Sequence, residues 1–125
     1  MRDYLDRMGA PTQLPAPDVA YPRIIGANGP KMLALAGEIT DGAMPALQPP
    51  AFTAQARQAL GPDKLLVVFV HANIEPGDAA AIAATVREHL AAGADHVMAG
   101  APIGTDFAAG VDHLEQLAPA LAELP

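Results

Sequence analysis

The 125-residue chain carries 14 acidic against 7 basic side chains, a formal net charge of -7 and 51% hydrophobic residues, with no cysteine. That is one domain's length; the acidic balance without a basic run excludes a phosphate-backbone binder, and the lack of thiols excludes disulfides, zinc-thiolate sites and thiol nucleophiles. No apolar stretch reaches the roughly 20 residues of a membrane helix, and Met1 to Ala10 carries Arg2, Asp3, Asp6 and Arg7 where a signal peptide has its apolar core, so the expected location is cytoplasmic, with neither nucleic acid nor membrane as partner.

Alanine supplies 28 of the hydrophobic residues, so the core is thin. Residues 1–9 make two helical turns with Tyr4, Leu5 and Met8 on one side; Pro11, Pro15, Pro17 and Pro22 then impose an extended linker over 10–22. The division expected is a short helix and Pro-rich linker over 1–22, then one folded block over 23–125. Arg23 to Ala27 reads as a strand. Met32, Leu35, Ala36 and Ile39 form one helix face, and Pro30 suits that helix's first turn. Asp41-Gly42 turns into a second apolar run, Ala43 to Leu47. Pro49-Pro50 opens a helix carrying Phe52, Ala56 and Leu60, which Gly61-Pro62 closes. Leu65 to Val70 is apolar at every position, as in a strand of a parallel sheet with both faces covered. Asp78 is the expected N-cap of a helix with Ala79, Ile82, Ala83, Val86 and Leu90 on one face, ending at Gly93. His96 to Ala99 is a fourth strand. Asp106 opens a last helix with Phe107, Val111, Leu114, Ala118 and Leu121 expected inward and a kink at Pro119.

The order is strand then helix, four times over, which implies a parallel sheet with right-handed crossovers. A closed barrel of this type needs eight strands and typically about 250 residues. The expected α/β fold is therefore four parallel strand-helix units, either a small open sheet or the second half of a (β/α)8 barrel. Half a barrel leaves two parallel edges and an inner face uncovered, so self-association into a homo-oligomer is expected.

The most informative local sequence is Gly26-Ala27-Asn28-Gly29-Pro30-Lys31, between the first strand and the first helix of the block. Glycines before a helix N-terminus make a feasible phosphate cradle; the same residues also make an ordinary tight turn. Gly100 to Thr105 follows the fourth strand at the same end and contains no cation. Among the histidines, His71 ends the strongest strand, where parallel-barrel enzymes place functional groups, but with no matching carboxylate or second histidine placed by sequence the reading preferred is a solvated loop histidine. His89 and His113 read as outer-face residues, and His96 lies at the opposite end of its strand. No pair has metal-helix spacing, so no metal is assigned. Asp41, Asp95 and Asp106 read as caps or turns. The chain has no serine, so a serine nucleophile is excluded.

The run Ile24-Ile25-Gly26-Ala27-Asn28-Gly29-Pro30-Lys31-Met32-Leu33-Ala34-Leu35-Ala36-Gly37-Glu38-Ile39-Thr40-Asp41-Gly42-Ala43 closely resembles the later half of the luciferase-like oxidoreductases, particularly those using the deazaflavin coenzyme F420. Ala59 to Leu66, Ala83 to Val97 and Leu117 to Leu121 extend the resemblance. It implies half of an eight-stranded barrel that binds its cofactor at the C-terminal strand ends. Ala27, Asn28 and Gly29 would meet the phosphate of F420, or of FMN as the alternative, through backbone N–H groups. Lys31 matches the motif's cation, and Met44 with Pro45 would line the pocket. Two departures matter: the four earlier strand-helix units that carry most of the substrate pocket are absent from this sequence, and Glu75-Pro76 stands where the family has a longer helical insertion. No catalytic residue carries over, and a small organic substrate is implied only if the missing half is supplied.

Overall fold

The computed structural model describes residues 1–10, 19–72 and 78–124. Five helices and four strands alternate along them: α1 (Arg2–Met8), β1 (Ile24–Gly26), α2 (Pro30–Ile39), β2 (Gly42–Met44), α3 (Pro50–Leu60), β3 (Leu65–His71), α4 (Ala79–Ala91), β4 (His96–Gly100) and α5 (Phe107–Ala122). The strands form one sheet in the order β1-β2-β3-β4, parallel at every pair. The expected α/β class and its strand-helix alternation are present. Most of the expected linker, residues 11–18, and the Glu75-Pro76 turn lie outside the described residues.

Local chemistry explains the boundaries. Pro30 and Pro50 sit in the first turns of α2 and α3, where a missing N–H is harmless. Gly61 and Gly93 close α3 and α4 with φ of 91° and 106°, backbone that a side chain would strain. Asp106 accepts a hydrogen bond from the Ala109 amide, the expected cap of α5. Asp78 takes the N-cap position of α4 without a side-chain cap bond.

Because the strand order rises by one at every crossover, and such crossovers are right-handed, the intervening helices fall on one side of the sheet. There Leu66, Val68 and Val70 of β3 are buried, and Val97 and Ala99 of β4 join the same packing. Two clusters result. Leu5, Ile25, Leu33, Ala36, Ala56, Leu60 and Leu66 centre the first; Val68, Val70, Val86 and Ala94 centre the second, with Leu90, Leu121 and Leu124 against it. On the other face Ile24, Leu65 and Met98 stay 37%, 37% and 44% exposed. On that same face Val67 is buried and Phe69 half-buried, so the middle of β3 is covered on both sides, as its apolar run suggested, and the strand is open only at Leu65.

Two expectations are corrected. The stripe Phe107, Val111 and Leu114 of α5 faces solvent, while Gly110 and Leu117 point inward; the apolar period is real, but no described element lies beyond β4 to cover it. His89 is 1% exposed, packed between α3 and α4, with its Nδ1 hydrogen-bonded to the Thr53 hydroxyl at 2.8 Å. α5 runs through Pro119 to Ala122.

Candidate functional site

The C-terminal strand ends bring Gly26, Met44, His71 and Gly100 to one rim of the sheet. Gly26 and Met44 are register partners, so they share one face, the open one. An ideal Cβ on Gly26 or Gly29 meets nothing within 4 Å, which leaves open space over the backbone where β1 turns into α2. Gly29 is the N-cap of α2 with extended backbone (φ -151°, ψ 158°) and no side-chain cap, so the first amides of the helix are not capped.

The sequence-nominated residues take different parts here. Ala27 is buried in the first cluster, and its amide donates to the Met44 carbonyl at 3.4 Å. The remaining backbone donors of the turn are those of Asn28, Gly29 and, past Pro30, the first turn of α2. The Asn28 side chain grips the β2–α3 loop from both sides: its amide group donates to the Ala46 carbonyl at 3.3 Å and its oxygen accepts from the Ala46 amide at 2.9 Å. Lys31 is exposed on the first turn of α2, and Met44 is half-buried.

Next to that clamp Leu47 has φ 58°, the one positive-φ residue other than glycine among the described residues. A leucine in the left-handed region costs roughly 1–2 kcal/mol. The grip of Asn28 on Ala46, and the Leu47 amide bound to the Phe69 carbonyl at 3.0 Å, hold it there. Sequence reasoning found Asn28 for its backbone and missed its side chain, and no signal in the sequence marks Leu47.

His71 is part of β3 rather than of a loop. Its ring meets the Phe69 ring edge-on at 5.5 Å, and its Nδ1 is enclosed without a hydrogen-bond partner. His113 on α5 is half-buried and also has an enclosed, unpartnered Nδ1. Gly26 also walls a cavity of about 380 Å³ that runs beside β1, with Tyr4, Leu5 and Met8 of α1 opposite. No group of three or more metal-binding side chains occurs among the described residues, and no described helix is long and apolar enough to cross a membrane.

The N-terminal strand ends are built differently. Asp41, just before β2, donates its amide to the Arg23 carbonyl and accepts the Arg23 amide on its carboxylate at 2.7 Å. Asp95, just before β4, does the same with both backbone groups of Leu66. Arg57 reaches in from α3 to bind the carbonyls of Gly61, Lys64 and Gly93 and, at 2.6 Å, the Asp95 carboxylate. Burial alone would raise the Asp95 carboxyl; the Leu66 amide and the Arg57 guanidinium outweigh it and hold the group below its ordinary value. Lys64 closes the row by donating to the Thr40 carbonyl at 2.7 Å. Asp41 and Asp95 are thus structural, as their positions in the sequence indicated.

Comparison with known proteins yields no matching family model, no matching curated protein and no matching solved structure.

Proposed function

We propose that this chain is the cofactor-phosphate-binding half of a luciferase-like oxidoreductase of the F420-dependent type, with FMN as the alternative cofactor. The observation that carries the reading is the uncapped start of α2 beneath two glycines whose missing side chains leave the approach open. Backbone amides at Asn28 and Gly29 and the positive end of the α2 dipole suit a phosphate. Lys31 adds a cation within the first turn of α2, and the Gly-Pro-Lys-Met run is where the resemblance to the family is densest.

A deazaflavin or flavin, when bound, supplies the hydride chemistry. The chain's part is to bind and orient: backbone donors fix the phosphate end, Asn28 holds the β2–α3 loop in place, and Met44 lines the face beside Gly26. Positioning of substrate against the reactive ring falls to residues outside this sequence. Because orientation is worth up to roughly 7–11 kcal/mol in favourable cases, the isolated chain binds weakly and does not turn over.

A second reading is a binding module that is not itself catalytic: the uncapped start of α2 can hold a phosphate without any reacting group. Calorimetry with F420 and with FMN tests the shared premise. Gly29→Val should abolish measurable binding while leaving the fold intact, since its backbone is extended and the space above it empty; unchanged affinity removes the cradle. Hydride transfer on adding a candidate N-terminal half selects the split enzyme, and its absence selects the binding module.

A further inference from the structure

We infer that His71 donates a hydrogen bond to the ring end of the ligand proposed for the start of α2, a flat fused heteroaromatic ring with carbonyl oxygens on its edge. The anchor rests on the phosphate reading, and the far end rests on observations of its own. Register supplies the reach. The bridge between Ala46 and Phe69, with Asn28 bound to Ala46, sets Asn28, Ala46 and Phe69 in one row across neighbouring strands. Phe69 therefore stands two strand spacings, about 10 Å, from the turn, and His71 follows on the same face of β3. A phosphate joined to such a ring through a pentitol arm spans that distance.

This end carries two features that the fold leaves unexplained. The Nδ1 of half-buried His71 is enclosed without a partner, while its Nε2 makes no hydrogen bond and is not enclosed. Enclosed N–H groups without an acceptor are rare and enclosed lone pairs less so, which puts the proton of the neutral ring on Nε2 and presents it as a donor. Leu47 is the second feature: its backbone is left-handed, its side chain is 55% exposed and its amide is tied to the Phe69 carbonyl. Backbone strain of this kind collects at ligand sites. Between the two the surface is aromatic. Carbons of the Phe69 ring lie 2.9 Å from where a Cβ on Gly100 would be, and the His71 ring stands edge-on to that ring at 5.5 Å. Gly100 is the register partner of His71, so β4 sets no side chain beside the imidazole. An opening of about 310 Å³ beside His71, walled on its other side by Asp78, Ile82 and Thr85 of α4, leaves room at this end. An apolar ledge with a single N–H donor suits a flat ring with an acceptor on its edge.

Riboflavin and the deazaflavin riboside carry ring and arm without phosphate, so they test this end alone. Titrated into the full chain and followed by ligand fluorescence and by nitrogen spectra of the histidine rings, at least one should bind and move the Nε2 resonance of His71, and the tighter of the two identifies the ring. His71→Phe keeps an aromatic contact with Phe69 and removes the donor; it should raise that dissociation constant roughly fivefold or more with circular dichroism unchanged, the loss of about one hydrogen bond. His71→Gln, whose side-chain amide can replace the Nε2 donor, should stay within about twofold of the parent chain. Inorganic phosphate reads the turn alone: its binding should respond to Gly29→Val and not to His71→Phe. Failure of both phosphate-free ligands to bind overturns the proposal whatever phosphate does. Equal binding by parent and His71→Phe overturns it too, as does equal weakening by the Phe and Gln variants, which is a packing effect. Phosphate binding indifferent to Gly29→Val, with the ring response intact, removes the cradle and leaves His71 as the donor.

Discussion

The two ends of the sheet are built on opposite plans. At the N-terminal strand ends two carboxylates, a guanidinium and an ammonium tie backbone groups of neighbouring strands and loops together within 2.6–2.9 Å. At the C-terminal ends Gly26 and Gly29 face empty space, one leucine is held in a costly conformation, and His71 keeps an unpartnered ring nitrogen. The first end fixes the fold and the second leaves groups uncommitted, the contrast between stability face and open face expected of parallel barrels.

Two glycines on neighbouring strands break or sustain that contrast most directly. A Cβ at Gly42 would lie 2.2 Å from the Leu65 carbonyl oxygen, so Gly42→Ala should cost about 3 kcal/mol or more, read as a collapse of the denaturation midpoint. Arg57→Ala strips three carbonyls and the Asp95 carboxylate of a donor and should cost about 2–3 kcal/mol by urea denaturation. A loss below 0.5 kcal/mol would show that the knot at this end is ornamental.

Thr53→Val, midway between the two ends, leaves the buried His89 nitrogen unpaired and should cost about 1–2 kcal/mol. Burial holds the His89 imidazole below its ordinary value, with Glu88 pulling weakly the other way. The stability from keeping it neutral is complete above pH 6.5 and is lost as the pH falls from there toward the lower folded value, because the unfolded chain takes up the proton first. His89→Leu should flatten melting temperature against pH in that window. Asp95, depressed in the fold, contributes above its unfolded value of 3.8 and loses its contribution only below it, so the two acid responses separate. The smallest effect belongs to the open end: Gly26→Ala should change stability by less than about 0.5 kcal/mol while reducing phosphate binding.

The elements were legible because their signals are local: prolines at helix starts, glycines at helix ends, and unbroken apolar runs between them. Burial was less legible where it depends on what lies alongside. The α5 stripe is apolar at the right period, yet no described element covers Phe107, Val111 and Leu114, so these three face outward while Leu121 packs inward. His89 looked external because imidazole is polar; it follows Val86 by three residues on the inner face of an alanine-rich helix, and Thr53 stands three before Ala56 on α3. Those spacings were the available signal. At the rim, spacing located the turn from Gly26 to Lys31 but not the grip of Asn28 on Ala46, which depends on two loops eighteen residues apart.

The paired bonds of Asp41 and Asp95 have a consequence for how the strands are indexed. Each aspartate exchanges both an amide and a carboxylate contact with a single residue of the preceding strand, Arg23 or Leu66, so a slip of one residue would forfeit both bonds and turn every side chain to the wrong face. β1 with β2 and β3 with β4 are therefore two couples of locked stagger. β2 and β3 have no carboxylate clip of their own and are joined by the Leu65 amide on the Asp41 carbonyl, the Lys64 ammonium on the Thr40 carbonyl and, further along, the backbone bonds of Phe69 with Pro45 and Leu47. The chain is counted out in twos, and the register of the seam between couples is set by the backbone ladder instead of by an aspartate.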